Sequence, residues 1–265
     1  MKIKSNCSLA LLMPASLFLV NASPLRASET DDRIEASAKN SYVFKTYLKD
    51  DAVKTESKDG VVTLTGSVAE AFHKSLAQDT VAGLPAVKRV DNQLKINAEG
   101  PAEHSDNWLG LKVKTALLFH RNVSASHTVV SVDDGTVSLS GEAASEAQKD
   151  LTTEYAKDVD GVKGVTNQMT VASKPAKPVE TIAETIAERI DDASISAQIR
   201  ASLMVHRSTS ALMTKIETTE GVVTVGGTAK NAAEKSLVTK LVSDIHGVRR
   251  VINQMSIATG SVTKN

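Results

Sequence analysis

One ten-residue string recurs three times in the chain, and it constrains the fold more than any other feature. Residues 59–68 read Asp-Gly-Val-Val-Thr-Leu-Thr-Gly-Ser-Val, residues 134–143 Asp-Gly-Thr-Val-Ser-Leu-Ser-Gly-Glu-Ala, and residues 220–229 Glu-Gly-Val-Val-Thr-Val-Gly-Gly-Thr-Ala. Gly66, Gly141 and Gly227 are each followed 26 residues later by an Asn-Gln pair, beginning at Asn92, Asn167 and Asn253. A spacing kept three times without a gap means one small fold used three times.

The periods inside each unit predict its elements. Leu109, Val113 and Leu117 behind Asp106, and Ile195, Ile199 and Leu203 behind Asp192, mark helices with one apolar face, the aspartates reading as N-caps. In the first unit Phe44 and Leu48 match this stripe, Asn40 replaces its first aliphatic and Ser37 stands as the cap. That alignment leaves 12 residues from Leu48 to Gly60, against 18 from Leu117 to Gly135 and from Leu203 to Gly221, so the first connection is six residues shorter. A short strand, a tight Asp-Gly or Glu-Gly turn and an alternating second strand follow. The glycine of that strand falls on the core side, where a crossing helix would need the space. A second helix (Leu76, Thr80, Val81 and Leu84; Leu151, Tyr155, Ala156 and Val159; Leu237, Leu241, Val242 and Ile245) and a last strand complete the unit. The expected class is α+β, an α/β sandwich: three αββαβ domains, each with two helices on a three-stranded mixed sheet.

Residues 1–27 read as a secretory leader. Lys2 and Lys4 precede the apolar run Leu9 to Val20, with small residues at Ala22 and Ala27 as alternative cleavage points. The run is too short to span a bilayer, and the single Cys7 lies ahead of it, so the secreted chain carries no thiol. Domains are expected at 33–98, 104–172 and 191–259. A Pro/Lys linker and a short helix with Ile182, Ile186 and Ile190 on one face occupy 173–190.

With 31 Lys+Arg against 31 Asp+Glu the chain has no net field to draw nucleic acid. Its eight aromatics, one Trp, three Tyr and four Phe, offer little surface on which bases could stack. The chain has no convergent acid/base set, nucleophile elbow, phosphate loop or thiolate cage, so neither catalysis nor a metal or other cofactor is expected.

The order Asp-x-x-Ile-x-x-x-Val-(Lys/Arg)-x-x-Leu, Gly-x-Val-x-Leu-x-Gly, a helix, Gly-Val and a short strand resembles the BON-domain family. The likeness runs through Asp106 to Leu117, Gly135 to Gly141 and Gly161-Val162, and again through Asp192 to Leu203, Gly221 to Gly227 and Gly247-Val248. It implies a non-enzymatic periplasmic protein associated with phospholipid surfaces and with osmotic stress or envelope integrity. Pairs of such domains are common, and a third copy adds valency.

The expected binding residues are basic. Lys88, Arg89, Lys163, Arg249 and Arg250 lie 22 or 23 residues after the motif glycine, at the start of each last strand. Each such charge contributes up to ~1 kcal/mol near an anionic membrane. Trp108, with Lys112 and Lys114 beside it, reads either as an interfacial anchor or as a contact between domains. Asn92 and its two equivalents, on the core side of the last strand, read as buried amides tying a strand end or loop. His120-Arg121 and His206-Arg207 follow equivalent helices and read as C-terminal cations favoured by the dipole. The expected partner is an anionic phospholipid surface, and the alternative is an envelope or client protein held by a chaperone-like module.

Overall fold

A computed structural model of the protein describes residues 24–97, 105–172, 190–209 and 214–258. The leader up to residue 23, and Ile182 and Ile186 of the expected linker helix, lie outside the described residues. The first domain comprises α1 (Pro24–Asn40), α2 (Tyr42–Thr46), β1 (Ala52–Lys58), β2 (Val61–Val68), α3 (Ala71–Ala82), β3 (Arg89–Asn92) and β4 (Lys95–Ile96). The second has α4 (Asp106–Phe119), β5 (Thr128–Asp133), β6 (Thr136–Ala143), α5 (Glu146–Asp158), β7 (Gly164–Asn167) and β8 (Thr170–Val171). The third has α6 (Asp192–Val205), β9 (Thr214–Thr219), β10 (Val222–Ala229), α7 (Ala232–Ser243), β11 (Arg250–Asn253) and β12 (Ser256–Ile257).

The recurring string forms the middle strand each time. β2 pairs antiparallel with β1 on one edge and parallel with β3 and then β4 on the other, and the other two sheets repeat this layout. Its period of two buries one face: Val62, Leu64 and Val68, then Val137, Leu139 and Ala143, then Val223, Val225 and Ala229, all at 0% exposure. The mixed α+β domain thus occurs three times, as the sequence implies, with the last strand divided in two.

The glycine of the string plays a different part from the one expected. Gly66 is exposed and has φ +110°; a Cβ there would lie 1.8 Å from the Ala52 carbonyl oxygen of β1. At Gly141 (φ +117°) the same atom would lie 2.0 Å from the His127 carbonyl oxygen. The neighbouring strand, not a helix, comes close.

The aspartates also differ. Ser105 and Asp191 are the N-caps, their side chains accepting from the Trp108 and Ser194 amides. Asp106 and Asp192 instead accept from both amides of the hairpin turn, Asp134 and Gly135 at 2.8 and 2.9 Å, Glu220 and Gly221 at 2.8 and 2.9 Å. In the first domain this residue is Asp31, which holds Asp59 and Gly60 at 2.8 and 3.0 Å. The Ser57 hydroxyl and the turn amides keep its carboxyl below the usual range.

This corrects the alignment of the first unit. Asp31 to Gly60, Asp106 to Gly135 and Asp192 to Gly221 each span 29 residues, so no connection is shortened. The stripe is Ile34 and Ala38, both buried, and Ser37 lies within α1. The helix breaks at Ser41, which caps α2. Phe44 and Leu48 keep a helical spacing beyond that break, and this misplaced the register.

The third domain's first helix joins the three units. α6 is buried along most of its circumference, at Ala193, Ser194, Ile195, Ala197, Gln198, Ile199 and beyond. Its cap Asp191 also accepts from the Tyr42 amide at 2.9 Å, Ser194 Oγ accepts from the Val43 amide at 3.1 Å, and the Tyr47 hydroxyl donates to Gln198 Oε1 at 3.1 Å. Gly83 leaves room for Ala193, whose Cβ would stand 3.1 Å from a Cβ at position 83. The first and third domains therefore share one continuous apolar core, joined by Phe119 of the second. Ile190, just before α6, is buried against Gly247.

Candidate functional site

Three features stand out: the basic corners beside the hairpin turns, a groove where the domains meet, and a buried polar cluster between the second and third domains.

At each corner a basic residue lies over the turn. The backbone amides of Lys88, Lys163 and Arg249 donate to the carbonyls of Gly60, Gly135 and Gly221 at 2.8, 2.9 and 2.8 Å. Their aliphatic stems cover the same glycines, and all three are exposed, as are Arg89 and Arg250. Backbone pairing with the turn therefore fixes these stems, while the charged heads reach water. The heads differ in availability. Lys163 Nζ is 2.7 Å from Asp134 Oδ1, a pairing that lowers the Asp134 carboxyl and raises the lysine. Lys88 Nζ donates to the Asp59 carbonyl at 2.9 Å. The guanidinium groups of Arg89, Arg249 and Arg250 make no hydrogen bond or ion pair among the described residues.

The Asn-Gln positions have the expected structural role. Asn92 Nδ2 donates to the Lys74 carbonyl (2.9 Å) and its Oδ1 accepts from the Leu94 amide (3.2 Å), tying α3 to the break between β3 and β4. Asn167 and Asn253 repeat this with Lys149 and Met169, and with Lys235 and Met255.

Trp108 and Lys112 line a groove of about 450 Å³ to which all three domains contribute: Phe72, Glu70, Asp79 and Ile96 from the first, Trp108, Leu111 and Lys112 from the second, and Ala201, Met204 and Val205 from the third. Trp108 is half-buried, and Lys112 Nζ stands 4.8 Å from its ring centroid while bonding to Asp160. Trp108 thus lines a groove between domains while packing against the core of its own domain. Burial raises the carboxyls of Glu70 and Asp79 above the usual range, Asp51 adding to it at Glu70 and Arg200 opposing it at Asp79.

The third feature was not expected. His120 and His206 end α4 and α6 and are 1% and 2% exposed. Their Nε2 atoms are 3.3 Å apart. Each Nδ1 faces a carboxylate of the opposite domain, His120 with Asp244 at 3.4 Å and His206 with Asp158 at 3.1 Å. The backbone follows the same pattern: Arg121 donates to the Asp244 carbonyl and Arg207 to that of Asp158, while His246 donates to Phe119 and Asp160 to Val205. Every partner is its counterpart plus 86 residues, so two copies of one edge meet about a local two-fold axis. The equal spacing of the two His-Arg pairs was the available signal, and the histidines are the C-cap residues as expected, but capping does not describe what their rings do. Both residues do follow helix ends, but their rings point into the neighbouring domain.

A BON domain family model matches residues 30–98, 105–173 and 191–259. The chain is 30% identical over 196 residues to osmotically-inducible protein Y of Escherichia coli (strain K12), covering 73% of this chain and 92% of that protein. It is also 30% identical over 121 residues to a 21 kDa hemolysin of Actinobacillus pleuropneumoniae, covering 44% of this chain and 62% of the relative. Among solved structures, CdsD, a structural protein of the type III secretion system of Chlamydia trachomatis, matches at 16% identity with a TM-score of 0.24, covering 87% of this chain and 92% of that one. That superposition is too poor to carry an argument.

Proposed function

The chain belongs to the BON domain family, and from that premise we propose that it is a non-enzymatic periplasmic protein of the cell envelope that binds anionic phospholipid surfaces through repeated domains. The observation that carries this reading is the basic corner built three times in the same place, with Arg89, Arg249 and Arg250 holding uncompensated charge. Each charge contributes up to ~1 kcal/mol near such a surface, and repetition raises the total through avidity. Neutral net charge sets the range: attraction acts only at contact and is screened by salt. Among the described residues no helix is long and apolar enough to cross a membrane, which suits a peripheral mode. Association with osmotic stress rests on the likeness to osmotically-inducible protein Y.

Co-sedimentation with vesicles containing phosphatidylglycerol tests the proposal. Binding is expected at low salt, with at least a tenfold loss on combined Lys88→Glu, Arg89→Glu, Arg249→Glu and Arg250→Glu. Binding to anionic vesicles that survives the four changes would overturn it.

The groove favours a second reading, capture of an apolar side chain from an extended client polypeptide. Met204, 61% exposed, and Ile96, 48% exposed, are among its lining residues and offer apolar surface to such a side chain. Suppression of client aggregation without lipid, lost in Met204→Asp, would support this reading.

A further inference from the structure

We propose that the contact between the second and third domains is a proton-limited clamp, closed while His120 and His206 share a single proton between their Nε2 atoms and opened when each ring carries its own. Each Nδ1 lies within 3.4 Å of a carboxylate oxygen without hydrogen-bond geometry, and beside that charge an N–H is favoured over a lone pair. The two Nε2 atoms face each other at 3.3 Å, a separation that fits one N–H donating to one lone pair. Three protons on four ring nitrogens therefore satisfy the pair, giving it a net charge of +1 between two carboxylates. A fourth proton sets two N–H groups head to head inside a site from which water is excluded, and only one has another acceptor: Ser202 Oγ lies 3.3 Å from His120 Nε2.

The groups around the pair reinforce this arrangement. From α5, Asp158 faces His206, and Tyr155 stacks on the His120 ring with centroids 3.9 Å apart while its hydroxyl donates to Asp244 Oδ2 at 2.5 Å. Asp244, following α7, also takes the Asn122 amide. His246 lies beyond it, and Asp160 beyond α5 is held by Lys112. Arg121 and Arg207, next to the two histidines, turn their guanidinium groups to backbone carbonyls of the opposite domain, Val248 and Ser243 for one, Val162 and Lys157 for the other, with Arg207 Nε 4.0 Å from Asp158. Asp158 and Asp244 would each face one imidazolium, so a fourth proton is opposed by the meeting of two Nε2–H groups and not by a shortage of counter-charge. Burial and the neighbouring His206 disfavour a charged His120, against the attraction of Asp244. Burial acts to raise the Asp158 carboxyl, but the facing His206 and the Ser208 hydroxyl hold it below the usual range.

The clamp is reversible because it sits at element ends. The first and third domains stay joined through their shared core, so acid is expected to swing the second domain away from the third as a folded unit, pivoting about Phe119, which stays seated in that core. The single tryptophan, Trp108, stands in the groove at this junction and reports the movement.

The test is small-angle scattering and tryptophan fluorescence of the full chain from pH 8 to pH 4, with far-ultraviolet circular dichroism alongside. The expected result is a reversible rise in radius of gyration and a shift in emission, with a midpoint below about pH 6.5 and unchanged secondary structure. In His206→Gln, which keeps a neutral polar side chain but binds no proton, the midpoint moves down by a pH unit or more. In Asp158→Asn, which removes the counter-charge of His206, it moves up. A merely structural role would loosen both variants alike. A constant radius across the range in the wild type, or the same midpoint in all three proteins, would overturn the clamp. If His206→Gln does not fold, the upward shift in Asp158→Asn decides. A rise in Tm on adding Zn2+ that is lost in Asp158→Asn would assign the pair to a metal and overturn the proton reading as well.

Discussion

The third domain meets its two neighbours through junctions of opposite kind. Toward the first domain it presents α6, and the contact is largely apolar and lopsided: Gly83 against Ala193, the Tyr47 hydroxyl on Gln198, and cap bonds from Asp191, with Phe119 of the second domain wedged against Tyr47 and Phe72 beside it at ring-centroid distances of 5.3 and 5.5 Å. Toward the second domain it presents a loop edge, and the contact is polar, titratable and two-fold. The difference follows from two positions. By the spacing of the repeat, Gly83 stands where the other domains have Asp158 and Asp244, and Lys45 where they have His120 and His206. A domain lacking both halves of the clamp has to dock by shape, and the missing side chain at position 83 lets a helix approach. One fold thus supplies a permanent joint and a conditional one.

The largest expected effect breaks the apolar joint. Phe119→Ala removes a fully buried ring shared by two domains, and unfolding by urea should show a loss of about 4 kcal/mol. Next is Asp244→Ala, which strands His120 and the Tyr155 hydroxyl in a buried site; about 3 kcal/mol is expected, with loosening confined to the second and third domains in hydrogen exchange. The pH dependence separates the joints directly. His120 is held below the ordinary value of 6.5, chiefly by burial, so the unfolded chain binds more protons below that pH. The stability linked to it is complete above about pH 6.5 and is lost as pH falls through the folded value. Calorimetry in this window should show a falling Tm that Phe119→Ala leaves unchanged in shape and His120→Gln flattens. Smaller still is Asp191→Ala, where losing a cap and the Tyr42 contact should cost about 1 to 2 kcal/mol in chemical denaturation. The smallest effect belongs to Arg250→Glu: an exposed charge outside both joints should shift stability by less than about 0.5 kcal/mol while weakening vesicle binding.

What could be read in the sequence was what repeats locally. The alternation of Val62, Leu64 and Val68 follows from a period of two, and the ties made by Asn92 and its equivalents follow from the rule that a half-buried amide finds partners. The register of the first helix went astray because a periodic stripe continued past a break at Ser41 that no proline or glycine marks. The clamp was hidden for a different reason. Its partners are 86 residues or more from one another or lie in opposite domains, and periodicity carries no information about which domain edges meet. The basic corners were legible as positions, but the fixing of their stems over the turn glycines depends on a strand pairing that only three dimensions show.

The burial of α6 bears on the order of assembly. Chain synthesis delivers the first domain early and residues 192–205 late, and the bonds joining them, such as Tyr42 to Asp191, close a span of 149 residues. Until that span closes, the α2 and α3 surface of the first domain waits uncovered, and closing so long a loop is entropically slow. A chain interrupted before residue 191 would therefore leave the first two domains touching through the Phe119 ring and the Tyr47 hydroxyl, and the newborn protein depends on its last third to complete both joints.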